Sequence, residues 1–424
     1  MIQPKLYKLS NGIPVIIDHL PGSDASTVGV YVESGSRNES AEKDFGISHL
    51  LEHMALKGTA ARSARDITVA IEEVGGSINA YTSFNLTSYY ATVPGARIGM
   101  AAEILADVAQ NPSFPENELE KEKMVVAQEI MTYEDIPEAV LESAMCDSVF
   151  TGGMKHNIAG SLDSVREMTG PRLAEFFRRR YSAKNSVIAL SGGGLENPDE
   201  ILAMLEANFG GWAARDVPGY EFSAYSPALR HIRKSELSHT YFKLVWPTRP
   251  AATRGALAGA ELFLTVLGGG FGSRLFQEIR EKRGLVYGIG AASLALEDVG
   301  VAIIEGQTDR KKIAETIGAV AEICNGIKSG GTPLTPAELA RAKEMTKGAL
   351  LTGLESSMRR ADFFAARSVQ FGGLDNLRQN MDLVDSITLE QAAESAREIF
   401  AEKPSVITLG VENELPLADW QKMF

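Results

Sequence analysis

The sequence predicts an α+β protein made of two homologous sheet-plus-helix halves related by internal duplication. Three observations carry that expectation. The chain has 424 residues, whereas domains usually run about 100–200 residues, so two or more cores are expected. Two pairs of segments resemble each other in the same order and at nearly the same offset. Within each half, short strand-like runs precede long amphipathic helices, a pattern that builds layers of sheet and helix.

Taken in chain order, "MIQPKLYKLSNGIPVII" reads as a strand, a turn at Asn11-Gly12 and a second strand. "STVGVYVESG" and "TSYYATV" are strands of the first sheet. "FPENELEKEKMVVAQEI" (Phe114–Ile130) resembles "TPAELARAKEMTKGALL" (Thr335–Leu351), with Leu119 and Leu339 placed 220 positions apart. Each is a long helix with a Pro near its start. "MTGPRLAEFFRRRYSAKNSVIALSG" (Met168–Gly192) resembles "SITLEQAAESAREIFAEKPSVITLG" (Ser386–Gly410), with Thr169/Thr388 and Ser186/Ser405 both 219 apart. Each of these is a helix, a short turn and a β-branched strand. The Gly/Pro-rich stretch after Trp212 is a linker. The expected division is therefore 1–212, a linker at 213–229, and 230–424.

Composition narrows the function. The chain is 44% hydrophobic and 23% charged, as in a soluble globular protein. Its net charge of −13 argues against a nucleic-acid partner, and no dense Lys/Arg run offsets it. Arg178-Arg179-Arg180 reads as the end of a helix, where cations suit the dipole. The acidic field suits basic partners, cationic peptides among them. Cys146 and Cys324 are the only cysteines, too few for a disulfide framework or a thiolate metal site. No apolar run reaches the ~18 residues of a membrane span, and no signal-peptide pattern stands at the start. A cytoplasmic protein that does not engage membranes is expected.

"DFGISHLLEHMALKG" carries the chemistry. Leu50, Leu51, Met54 and Leu56 fall at helical spacing, and Gly58 is placed to cap the helix. Residues four apart on a helix differ by about 40° around its axis, so His49 and His53 can reach one ion from one face. Glu52 borders that face. Zinc suits imidazole and carboxylate ligands with a position left for water, and Glu52 could take a proton from that water. His-x-x-Glu-His is a zinc-protease signature. A third ligand must come from another helix. Glu129 follows the apolar "MVVAQ", where a buried carboxylate needs a partner. Glu122 lies seven residues earlier, about 20° away in azimuth. There it could hold a ligand imidazole from behind or simply belong to a solvated face.

With these residues in hand, the chain resembles the pitrilysin/insulinase zinc peptidases, which include the mitochondrial processing peptidases. The resemblance rests on His-x-x-Glu-His followed by a Glu 76 residues after His53. It extends through "GGSINAYTSFNLTSYYATV", "VVAQEIMTYEDIPE" and the duplicated halves. It implies one zinc ion per chain on His49, His53 and Glu129, with Glu52 as general base and Glu122 behind the ligands. The second half lacks the motif, and Ala349 stands opposite Glu129.

"GGGFGSRLFQEIREKRGLVYGIG" (Gly268–Gly290) reads as a glycine turn, a helix from about Ser273 to Arg283, a Gly284 cap and a strand from near Leu285. The glycines lack the Gly-Lys-Ser/Thr of a phosphate loop. On the residues alone, Arg280 and Tyr287 are a surface Arg and a strand Tyr. The resemblance implies that Tyr287 bonds the developing oxyanion and Arg280 a substrate carbonyl; Arg283 ranks below Arg280 because its spacing does not match. "SINAYTSFN" alternates like an edge strand to which an extended peptide could add. The family's usage points to Asn79, Ala80, Tyr81 and Thr82, and an internal strand would alternate in the same way. The resemblance further implies a homodimer with each active site shared between subunits. The expected function is a zinc endopeptidase acting on short or unfolded peptides in a closed dimer chamber. The alternatives are a presequence-processing peptidase for basic targeting peptides and a non-catalytic scaffold subunit of the same fold.

Overall fold

The computed structural model describes residues 3–251, 254–411 and 416–424. Two compact units emerge, each built on one mixed sheet.

The first sheet contains β1 (Lys5–Lys8), β2 (Pro14–His19), β3 (Ala25–Val32), β4 (Ser77–Thr82), β5 (Thr87–Pro94) and β6 (Ser186–Gly192), in the spatial order β1-β2-β6-β3-β5-β4. Only the β2–β6 pair is parallel. Central β6 is buried along its whole length, as expected of a strand covered on both faces. β4 is an edge strand, with no residue fully buried. Helix α1 (Ile47–Ala55) packs on β4 and β5, and helix α2 (Glu116–Asp135) contributes to the same core. Leu50, Leu51 and Met54 of α1 and Leu119 and Val126 of α2 join the same core as Val28 and Val30 of β3.

The second sheet contains β7 (Leu229–Arg233), β8 (His239–Thr248), β9 (Val286–Ala295), β10 (Gly300–Asp309) and β11 (Ser405–Gly410), in the order β7-β11-β8-β10-β9. Again one pair, β7–β11, is parallel. Without β1, the first sheet has the same topology: five strands met in chain order are arranged first, fifth, second, fourth, third. Chance resemblance between helices would not reproduce that order, so the duplication is a property of the fold.

The structure corrects the linear division of the chain. Residues 133–155 belong to the second unit and residues 352–377 to the first. Helix α3 (Pro137–Val149) packs on β7, β8 and β11. Its counterpart α4 (Ser357–Phe371), 220 positions later, packs on β2, β3 and β6. The duplicated helices are thus exchanged between the halves. Both are tied down by charge. Asp18 of β2 is fully buried and accepts two hydrogen bonds from the Arg360 guanidinium, at 2.5 and 2.9 Å. Lys243 of β8 pairs with Glu142 of α3 at 2.6 Å and with Glu305. Breaking a buried pair such as Asp18–Arg360 leaves an uncompensated charge, at a cost of about 3–5 kcal/mol. Among the described residues no helix is long and apolar enough to cross a membrane.

Candidate metal centre

Helix α1 starts from Gly46, whose φ of +88° is costly for any residue with a Cβ. A Cβ there would also lie 2.5 Å from the Ala159 carbonyl oxygen. The first turn is capped by Glu39, which accepts hydrogen bonds from the Gly46 and Ser48 amides at 2.8 and 2.9 Å. His156 lies beside that cap, stacked on Phe45 at 3.8 Å, with its Nδ1 3.6 Å from the Glu39 carboxyl. Helix α1 therefore has a fixed start. Its Ile47, Leu50, Leu51 and Met54 join the core, and His49 and His53 lie beside Glu129 with Glu52 beside Thr82.

His49, His53 and Glu129 each bring one ligand atom to within 4.8 Å of the others. The Nε2 atoms of both histidines lie 3.7 Å from the same carboxylate oxygen, Glu129 Oε2. That is too long for a hydrogen bond. It is close to the spacing of about 3.4 Å that zinc ligands adopt when each sits 2.0–2.1 Å from a tetrahedral ion. The donor set of two imidazoles and a carboxylate fits zinc. Burial, aided by His53 and opposed by Glu129, pushes the His49 imidazole down to about 4. His49 is therefore neutral near pH 7, as a metal ligand must be.

Glu122 is only 5% exposed, so the solvated-face reading of this residue is set aside. It sits on the core stripe of α2 with Leu119, Val126 and Ile130. Its Oε2 is 3.0 Å from His53 Nδ1 and its Oε1 is 2.9 Å from Lys57 Nζ. A carboxylate there accepts a hydrogen bond from Nδ1–H, which selects the tautomer with Nε2 as the lone-pair donor. Lys57 was not anticipated, although it lies four residues beyond His53 at the end of α1. Glu129 remains half-exposed. The apolar run before it does not bury it, because Met124 and Val125 are themselves 64% and 48% exposed.

Glu52 accepts a hydrogen bond from Thr82 Oγ1 at 2.8 Å. Burial pushes its carboxyl up, with His53 and the Thr82 bond opposing. A carboxyl raised by burial beside the paired imidazoles is suited to accept a proton. Thr82 lies on β4, and Asn79, Ala80 and Tyr81 precede it on the same edge. Asn79 Oδ1 accepts from the Ala80 amide at 2.8 Å. The Tyr81 hydroxyl donates to Asp362 of α4.

Arg280 and Tyr287 belong to the second unit and are brought together there. The Arg280 guanidinium lies 5.0 Å from the Tyr287 ring centre and 4.6 Å from that of Phe276. Tyr287 is 77% exposed. Arg283 is instead engaged by Glu278 and Glu322. The helix expected from Ser273 to Arg283 is π-helical over Phe276–Lys282, and Gly284 closes it with a φ of +61°. Gly268 is a close-approach residue: a Cβ there would lie 2.2 Å from the Ala291 amide nitrogen of β9.

A two-sheet duplicated fold with a His/His/Glu cluster in one half defines an insulinase-type peptidase architecture. Residues 14–160 match the family described as Insulinase (Peptidase family M16), and residues 167–346 match the Peptidase M16 inactive domain. The chain belongs to this family. It is 31% identical over 417 residues to an uncharacterized zinc protease of Mycobacterium bovis, covering 96% of this chain and 93% of the relative. It is 29% identical over 420 residues to an uncharacterized zinc protease of Bacillus subtilis, covering 97% and 99%. Among solved structures, a protease from Helicobacter pylori superposes with a TM-score of 0.85 at 22% identity, covering 97% of this chain and all (100%) of that one. A chain of complex III2 from Candida albicans gives 0.85 at 19% identity, covering 99% of each. These two likenesses are likenesses of fold.

Proposed function

We propose that this chain is a zinc endopeptidase that hydrolyses short or unfolded peptides. The observation that carries the reading is the convergence of His49 Nε2, His53 Nε2 and Glu129 Oε2 beside Glu52. The relatives named zinc proteases support it. Zinc held by His49, His53 and Glu129 would supply a Lewis acid for the scissile carbonyl and lower the pKa of the attacking water. Glu52, held at one oxygen by Thr82, takes a proton from that water and passes it to the leaving amine nitrogen. The β4 edge offers backbone groups to an extended peptide, which binds with little regard to sequence. Among the described residues such a ligand cluster occurs in the first half alone, so the reading assigns one zinc ion per chain.

The reading extends to a homodimer in which Arg280 and Tyr287 of one subunit serve the metal centre of the other within a closed chamber. Their mutual stacking and the exposure of Tyr287 support that role. The net charge of −13 favours cationic peptides, which keeps removal of basic presequences as the second reading. A scaffold role shares the fold but needs no converging ligands.

Cleavage of an internally quenched peptide tests the proposal. Activity should vanish with a zinc chelator. A Glu52→Gln chain and a Tyr287→Phe chain, each impaired alone, should regain part of it when mixed as dimers. Chelator-resistant cleavage would refute the zinc reading, and absence of rescue in verified mixed dimers would refute the shared site.

A further inference from the structure

Two consecutive residues of β4 are held from opposite faces of the first sheet. Thr82 points to α1 and bonds Glu52 at 2.8 Å. Tyr81 points the other way, and its hydroxyl donates to the Asp362 carboxylate of α4. As the outermost strand, β4 has β5 as its only sheet neighbour among the described residues. Backbone pairing to one neighbour leaves an edge strand freer to twist or slide than a central one, so side-chain ties bear heavily on its position. The tie at Tyr81 comes from a residue 281 positions away, on the exchanged helix.

Asp362 is well placed to be the fixed partner. Helix α4 is anchored independently of it, by Arg360 on buried Asp18 and by Ser357 on Thr27 at 2.9 Å. Tyr31 of β3, Tyr90 of β5 and Arg359 of α4 lie near enough to interact electrostatically with the Asp362 carboxyl. The Tyr81 and Tyr90 rings lie 6.5 Å apart. A half-buried carboxylate among tyrosines, reached by one phenolic O–H, is a strong, directional acceptor.

We infer that Asp362, acting through the Tyr81 hydroxyl, is a positioning residue that holds the β4 edge in register with Glu52 for docking of an extended peptide. The inference rests on the peptidase reading and deepens it. The second half of the sequence thereby serves the metal-bearing unit of its own chain, in addition to whatever Arg280 and Tyr287 do. Asp362 itself touches neither substrate nor the metal ligands. Its loss should therefore raise KM and leave the chemistry of the centre alone.

The test uses full-length Tyr81→Phe, Asp362→Ala, Asp362→Asn and the Tyr81→Phe/Asp362→Ala double variant. Each is assayed for cleavage of an extended quenched peptide, for zinc content, and for affinity for the same peptide, fluorescently labelled, in the presence of a chelator. Loss of one charge-assisted hydrogen bond should raise KM and weaken affinity roughly tenfold in Tyr81→Phe and Asp362→Ala. Zinc should stay unchanged and kcat within about twofold. The double variant should be no worse than the single ones, because one bond is lost in all three. Asp362→Asn keeps an acceptor oxygen and should recover most of the affinity. Unchanged KM and affinity, or additive losses in the double variant, would overturn the inference. So would a fall in kcat or zinc content at constant KM. If the wild type cleaves no peptide, the peptidase reading fails and the chelated binding series alone decides on Asp362. A wild type that binds no peptide overturns both.

Discussion

The two units share a strand order and differ in chemistry. Helix α2 of the first presents Glu129 to two imidazoles, whereas the second unit's equivalent helix (Pro336–Gly353) has Ala349 at that position. The exchanged helices show the same divergence on a common frame. Glu142 of α3 and Asp362 of α4 lie 220 positions apart, as their helices do. Glu142 takes a lysine of a central strand, at 2.6 Å, and Asp362 takes a tyrosine of the edge strand. The comparison teaches that the duplicated scaffold supplies positions and that a handful of side chains decide what each position does. The converging His49, His53 and Glu129 lie in the first unit, and the second keeps the architecture with Arg280 stacked on an exposed Tyr287.

That asymmetry can be broken most severely at Glu52. Glu52→Gln keeps the size of the side chain and one acceptor for Thr82 but removes the proton acceptor. Peptide turnover should fall by at least about a hundredfold with zinc content intact; substantial remaining turnover would remove Glu52 as the base. Glu122→Gln is the next largest. It weakens the hold on His53 and leaves Lys57 without its carboxylate, so zinc affinity in a chelator competition should drop roughly 10–100-fold. Wild-type affinity in this variant would show that the contact at His53 Nδ1 is dispensable.

The smallest expected effect sharpens the comparison through the start of α1. Burial pushes the Glu39 carboxyl up to about 8, against the two backbone donors that it caps. A carboxyl whose folded pKa lies above its unfolded value binds its proton more tightly in the native state. The resulting stability is full below the ordinary carboxylate range and is lost as pH rises from about 4.5 to about 8. Wild-type Tm should therefore decline across that window. Glu39→Gln, which cannot ionise, should be less stable at pH 5 and show a decline flatter by roughly a few degrees. Parallel pH profiles for the two proteins would contradict the assignment.

Much of this was legible in the chain. The repeats show because helical periodicity and β-branched strands survive divergence, and the offsets of 219 and 220 reappear in the helix boundaries. The metal cluster shows because two of its members sit four apart on one short helix. The burial of Glu122 was also readable: Leu119, Val126 and Ile130 mark the inward stripe on which it lies. The exchange of α3 and α4 was not, because an amphipathic helix declares that it has an apolar face and not which sheet that face covers. For the same reason nothing local links Asp362 to Tyr81. The π-helical turn at Phe276–Lys282 was read as ordinary helix, since hydrophobic spacing over so few residues does not separate the two. The run before Glu129 misled in the opposite sense: Met124 and Val125 are apolar and exposed.

The central claim is that two imidazoles of α1 and one carboxylate of α2 form a single zinc site in a chain whose second half has none. Elemental analysis of purified wild-type and Glu129→Gln protein tests it most directly. The account predicts one zinc ion per wild-type chain and a large loss of it in the variant. Two ions per chain, no zinc in the wild type, or full occupancy in Glu129→Gln would contradict it.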